Sequence, residues 1–100
     1  MSGYRLTPRA LRDLDHIADY SLVRWGEVQT ETYLSDLAKR FEWLSKNPRA
    51  GRPRDEIGAG YRSYRQGSHL IFYIIDNGLI AIIGVPHGPM DIDAFFDTPQ

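Results

Sequence analysis

The sequence predicts an α+β fold: an N-terminal helical hairpin packed on a twisted antiparallel β-sheet, in the order β-α-α-β-β-β. Three observations carry this. Two amphipathic stretches in the first half are separated by one glycine, Gly26. The last third holds apolar runs divided by turn signals. The sharpest of these is Asn77-Gly78, a dipeptide that marks a two-residue hairpin when apolar runs flank it. A chain of 100 residues makes one domain with a modest core. The expected parts are a hairpin over about 8–46, a sheet meander over about 61–85 and a C-terminal segment over 86–100.

Each element has its own local reason. Tyr4-Arg5-Leu6 reads as a short strand. Thr7-Pro8 then reads as a helix start, with Thr as N-cap and Pro at the first helical position, where a missing N–H costs nothing. Leu11, Leu14, Ile17 and Ala18 recur at helical spacing, and Asp13, Asp15 and Asp19 fall largely on the other side. This helix should reach about Trp25, and Gly26 ends it. A second helix is expected over 27–46, with the stripe Leu34, Leu37, Phe41 and Leu44. Glu27 and Glu31 complement its dipole. Asn47-Pro48 stops it, because a residue before proline disfavours the helical region. Helices joined by one residue should fold back as an antiparallel pair. Trp43 lies off the main stripe and either covers the sheet or faces a partner.

A loop is expected over 47–60, rich in Pro, Gly and Arg; loops of this length in compact domains are often functional. Residues 61–66 alternate aromatic and polar side chains as a half-exposed strand does. Residues 70–75 are continuously apolar and read as a central strand covered on both faces. The last strand, 79–85, is ended by Pro86, which has no N–H to donate.

Composition excludes several classes. No apolar run approaches the roughly 18 residues of a membrane span. The N-terminal residues lack the apolar core of a secretion signal. With no cysteine, disulfides and thiolate metal sites are out. A cytoplasmic protein is expected. Net charge is −1, which argues against a general nucleic-acid binder. Its distribution is uneven: residues 46–65 hold six bases and two acids, whereas 76–100 hold four acids and no Lys or Arg. Ten of the twelve bases are Arg, whose planar fork suits carboxylates and phosphates. The basic stretch is either a solvated loop or a docking surface for an acidic partner.

The chemistry-bearing residues are few. His16, His69 and His87 show no metal-ligand spacing, and no cofactor is expected. His69 opens the central strand and His87 follows its hairpin partner, so the two could meet, with Arg62 and Arg65 nearby. Such a cluster could cut RNA, with His as acid or base and Arg stabilising phosphorane charge. Alternatively, both histidines only cap strand ends. Gly58-Ala59-Gly60 opens no helix and is not a phosphate loop. Ser63 and Ser68 have no evident His–Asp pairing. Tyr61, Tyr64, Phe72 and Tyr73 could stack bases, although strand aromatics more often pack in the core.

Taken in order, several stretches resemble the ParE family of bacterial toxins, within the RelE/ParE superfamily. They are Tyr4-Arg5-Leu6-Thr7-Pro8; Asp13-Leu14 with Ile17 and Tyr20; Arg24-Trp25-Gly26; Asn47-Pro48-Arg49-Ala50-Gly51-Arg52-Pro53; Gly60-Tyr61-Arg62-Ser63-Tyr64; Gly67-Ser68-His69-Leu70-Ile71-Phe72-Tyr73; and His87 with Met90-Asp91. The resemblance implies a type II toxin–antitoxin pair. It implies neutralisation by a ParD-like antitoxin and growth arrest by poisoning DNA gyrase, with no catalytic residues. It also implies that the Tyr4-Arg5-Leu6 strand joins the same sheet.

Arg52, Arg54, Arg62 and Arg65 are then the expected antitoxin contacts. His87, Met90, Asp91 and Ile92 are the expected target contacts. The RelE-like branch, which cleaves mRNA on the ribosome, is the alternative. Against it, no Tyr follows Tyr73, so a C-terminal catalytic tyrosine is missing. One departure concerns Gly84-Val85-Pro86-His87-Gly88-Pro89-Met90-Asp91, where ParE-like chains usually carry Arg-Val-Leu-His. Gly84 stands at the Arg, and two prolines stiffen the segment. A degenerate antitoxin-binding module without toxicity is a third reading.

Overall fold

The computed structural model describes residues 3–88. Two helices pack on one face of a five-stranded sheet, in chain order β1 (Tyr4–Leu6), α1 (Pro8–Trp25), α2 (Glu27–Lys46), β2 (Arg52–Pro53), β3 (Arg62–Gln66), β4 (His69–Asp76) and β5 (Leu79–Gly84). The strands lie in the spatial order β1-β5-β4-β3-β2.

Local chemistry sets the element ends. Thr7 accepts the Ala10 N–H at 3.2 Å as N-cap, and Pro8 opens α1. Gly26 has φ 88°, a backbone state that favours glycine. It closes α1 through its N–H to Leu22 O, 3.0 Å, and starts α2 by accepting the Thr30 N–H at 3.1 Å. Asn77 and Gly78 both have positive φ, 52° and 78°, as a type I′ turn requires.

The sheet is mixed, not wholly antiparallel as expected. The meander β3–β5 is antiparallel as predicted, and β2 adds to β3 in the same sense. β1 pairs with β5 in parallel, Tyr4 opposite Ile80 and Leu6 opposite Ile82. The two-helix crossover between β1 and the meander makes this geometry available, since parallel strands need a long connection. A register shift between Phe72 and Tyr73 leaves Ile83 as an extra residue in β5, a β-bulge. The Ile83 carbonyl accepts the Thr7 hydroxyl at 3.0 Å, so the bulge ties the sheet to the start of α1.

Strand alternation divides the sheet into two faces. Toward the helices point Ile71, Tyr73, Ile80 and Ile82, which pack with Leu37, Phe41 and Leu44 of α2 and Ala10 and Ile17 of α1. Tyr4 meets Phe41 edge-on at 5.5 Å. Trp43 covers the sheet: its ring lies 5.4 Å from that of Tyr64. It also remains 39% exposed, so both expected roles are open to it.

Two further expectations need correction. Leu11 is half exposed; Ile17 is buried as expected, and Ala10 and Ser21 are buried with it. The helix sits close on the sheet through small side chains, which turns the buried stripe toward Asp13 and away from Leu11. Asp13 accordingly lies on the packed side, not the solvent side. The loop over 47–60 also contains a strand, because Arg52 pairs with Ser63 and Pro53 with Arg62. Proline is tolerated there because β2 is an edge strand.

Among the described residues, no buried side-chain N or O atom lacks a hydrogen-bond partner. No helix among them is long and apolar enough to cross a membrane.

Candidate functional site: a histidine cleft and an arginine-bearing sheet

The four arginines singled out in the sequence do not share one face. Arg52 is paired with Ser63, and Arg65 has the same parity as Ser63 on β3, so both point away from the helices. Arg54 reaches that face too. Its Nη1 donates to Ser63 Oγ at 3.1 Å, its guanidinium lies 5.3 Å from the Phe72 ring centre, and Nε donates to Glu56 at 2.7 Å. The Arg54 hydrogen bond holds the exposed Glu56 carboxyl below the usual range.

Arg62 points the other way. Its Nη1 donates to Gly51 O at 2.7 Å and Arg49 O at 3.4 Å, so it clasps the segment before β2. Arg52 and Arg65 are exposed. A Cβ placed on Gly88 would meet the Arg65 guanidinium at 3.1 Å, so this side chain flanks the start of the C-terminal segment.

The second constellation lies where α1 passes the ends of β4 and β5. Pairing resumes beyond β5: Pro86 O accepts the Leu70 N–H at 2.9 Å, and the Gly88 N–H reaches Ser68 O at 2.7 Å. Pro86 therefore ends the strand but keeps its acceptor in use. The result is an antiparallel bridge between His69 and His87, with their rings edge-on at 5.5 Å. The two histidines meet as their strand positions suggest.

From the α1 side, the Asp13 carboxylate accepts the Val85 N–H at 2.9 Å and so holds the exit of β5. Burial pushes this carboxyl up from its ordinary value, while the bond to Val85 and nearby Arg9 pull it down. From α2, the Tyr33 hydroxyl donates to Gln66 O at 3.1 Å and lies 2.6 Å from His69 Nδ1. A phenol has one proton. With it on Gln66, Nδ1 of His69 carries the ring proton and Nε2 is the acceptor. Burial first, and then neighbouring His87, pushes His69 down to about 4, so this imidazole is neutral at pH 7.

Asp13, His69, Val85, Pro86 and His87 are among the walls of a cleft of about 510 Å³. His16 and Ile17 line one side, and His69, Ser68 and His87 the other. Tyr20, Arg24 and Trp25 form its end. Among the described residues no group of three His, Cys, Asp or Glu could hold a metal ion.

Sequence reasoning brought His69 and His87 together but missed Asp13, Tyr33 and the Tyr20–Trp25 wall as parts of one site. Asp13, Tyr20, Arg24 and Trp25 stand in matched stretches, which was the available signal. Tyr33 carried none. Of the expected target contacts, His87 is in the cleft. Met90, Asp91 and Ile92 lie outside the described residues.

Residues 4–92 match the family model described as the ParE toxin of type II toxin-antitoxin systems, parDE. The chain belongs to the ParE toxin family. Toxin ParE1 of Mycobacterium tuberculosis is 42% identical over 93 residues, covering 92% of this chain and 95% of the relative. Toxin ParE1 of Caulobacter vibrioides is 39% identical over 94 residues, covering 94% and 97%.

Among solved structures, a chain of the chromosomal ParDE TA system from P. aeruginosa superposes with TM-score 0.73 at 23% identity, over 87% of this chain and 96% of that one. At that identity the likeness speaks for the fold. A chain of the toxin–antitoxin complex RelBE2 from M. tuberculosis superposes with TM-score 0.56 at 28% identity, over 84% and 94%. The ParE match therefore agrees with the helical hairpin and mixed sheet built above.

Proposed function

We propose that this ParE-family chain is the toxin of a type II pair, is neutralised by a ParD-like antitoxin, and arrests growth by binding and poisoning DNA gyrase. The observation that carries the reading is similarity to toxins along nearly the whole chain, residues 4–92. It acts by binding and assigns no catalytic residue. Gyrase is met in the cytoplasm, the compartment this reading requires.

Arg52, Arg54, Arg62 and Arg65 pair with acidic antitoxin side chains through charge-assisted bonds, and an antitoxin helix lies in the apolar groove beside the helical hairpin. The exposure of Arg52 and Arg65 supports this assignment. Removing one partner of a buried Arg pair costs about 2–5 kcal/mol of affinity. Arg65→Ala is the cleaner probe, because Arg62 also holds Gly51 O and Arg49 O. His87, Met90, Asp91 and Ile92 engage the target.

A second reading is a ribosome-dependent mRNA endoribonuclease. The specific observation in its favour is the His69–His87 pair, with one imidazole neutral and pinned by Tyr33. Inducing the chain alone in bacteria separates the readings. Arrest with filamentation and DNA-damage signalling, while bulk translation continues, supports gyrase. Arrest with cut mRNA supports the ribonuclease, which further requires that His69→Ala or His87→Ala abolish cutting. Growth unchanged by folded, well-expressed protein would leave an antitoxin-binding module, with Gly84, Pro86 and Pro89 as the departures to revert.

A further inference from the structure

We propose that the cleft between α1 and the ends of β4 and β5 binds a nucleoside phosphate, with its base against Trp25 and Tyr20 and its phosphate on Arg24. The inference concerns binding, includes no bond-breaking step, and stands independently of the gyrase reading.

Five rings run in sequence along this part of the molecule. Tyr20 and Trp25 meet edge-on at 6.4 Å, Trp25 and Tyr33 lie 6.3 Å apart, Tyr33 and His69 5.5 Å, and His69 and His87 5.5 Å. The middle of this series, Tyr33 and His69, is partly buried, and His87 at its far end is exposed. At the outer end, Tyr20 is 59% and Trp25 41% exposed. Exposed rings at the wall of a cleft can stack a planar heterocycle, and stacking on aromatic side chains is the main sequence-tolerant way proteins hold a base.

The polar groups fit the rest of the same ligand. Arg24 lies over Tyr20, 5.7 Å from the ring centre, and is exposed at the end of α1. Its fork suits phosphate oxygens. At the other side, Ser68 offers a hydroxyl, and His69 has a second ring nitrogen besides the one in contact with Tyr33.

Among the described residues one carboxylate, Asp13, lines the cleft, and one of its oxygens accepts the Val85 N–H. That oxygen is thereby directed at the protein backbone. The cleft volume, about 510 Å³, falls within the roughly 300–1,000 Å³ typical of small-ligand sites. An acidic peptide side chain would satisfy Arg24 but leave the ring wall unused.

The test uses the full chain carrying Trp43→Phe, so that Trp25 is its one tryptophan. Trp25 fluorescence is titrated with 5′-AMP, adenosine, inorganic phosphate and a short single-stranded oligonucleotide. A saturable change with AMP is expected. Arg24→Ala should weaken AMP roughly tenfold, as loss of a charged hydrogen bond does, and leave adenosine unchanged. Tyr20→Ala should weaken both.

A stronger response to the oligonucleotide than to AMP would assign the ligand to a strand, and an equal response to a free nucleotide; either supports the site. No saturable response to AMP or oligonucleotide overturns the proposal. So does an AMP affinity that Arg24→Ala leaves unchanged while circular dichroism shows both proteins folded.

Discussion

Tyr73 is fully buried, yet its hydroxyl does two jobs: it accepts the Gly51 N–H at 2.8 Å and donates to Pro48 O at 2.8 Å. Burial pushes this phenol up from its ordinary value, so it stays protonated and able to donate. Tyr73→Phe strands a buried N–H and should cost about 1–3 kcal/mol in urea unfolding. Gly51→Ala should be worse, because the added Cβ would run into the Tyr73 hydroxyl.

His69 gives a pH prediction. Its folded value is depressed from 6.5 to about 4. The unfolded chain therefore takes up the proton first as pH falls, and stability present above 6.5 is lost down to about 4. The loss is on the order of 2 kcal/mol once solvent screening of a partly exposed ring is allowed for. Asp13, raised above 3.8 by burial, acts with the opposite sign, stability being gained as pH falls through its raised value toward 3.8. Denaturant midpoints between pH 7 and pH 4.5 check this: His69→Gln should flatten the slope, and an unchanged slope would remove His69 as its origin.

At the scale of elements, the molecule is joined by a few side chains that bridge distant segments. Thr7 caps α1 and also donates to the bulge at Ile83; Thr7→Ala should cost about 1–2 kcal/mol. Arg40 of α2 lies 4.8 Å from the Trp43 ring centre and 5.0 Å from that of Tyr64, and donates to Gln66 at 2.9 Å, so it fastens the helix to β3. Asp13 fastens α1 to the exit of β5. Asp13→Ala should free the 85–88 turn, broaden or shift the His87 ring signals in NMR, and leave β3 signals in place. If the His87 signals do not move, Val85 is held by its neighbours and the carboxylate is dispensable.

For the whole molecule, the proposed toxin reading separates two surfaces. Removing residues 86–100 should abolish growth arrest while antitoxin capture through Arg52, Arg54, Arg62 and Arg65 persists. Arrest by the truncated chain would remove His87, Met90, Asp91 and Ile92 from target engagement. Arg65→Ala should weaken antitoxin binding without altering thermal stability, because the residue is exposed on β3. Affinity equal to the parent chain would take Arg65 out of the interface.

Much of this architecture was legible in the chain. Thr7-Pro8, Gly26, Asn47-Pro48 and Asn77-Gly78 are backbone instructions that act within a few residues, so helix limits and the β4–β5 turn follow from local chemistry. Apolar spacing likewise identifies Leu37, Phe41 and Leu44 as core. Other features depend on contacts between distant segments.

The parallel pairing of β1 with β5, the two-residue β2, and the opposite facing of Arg62 and Arg65 are set by register across the sheet, which no local pattern encodes. The same holds for Asp13. In the sequence it is one of several acids on an amphipathic helix, and it becomes a backbone acceptor only because Ala10 and Ser21 let α1 approach the sheet end. The pairing of His69 with His87 lies between these cases: their positions on hairpin strands allow the meeting, but the bulge at Ile83 and the backbone bond from Leu70 to Pro86 decide it.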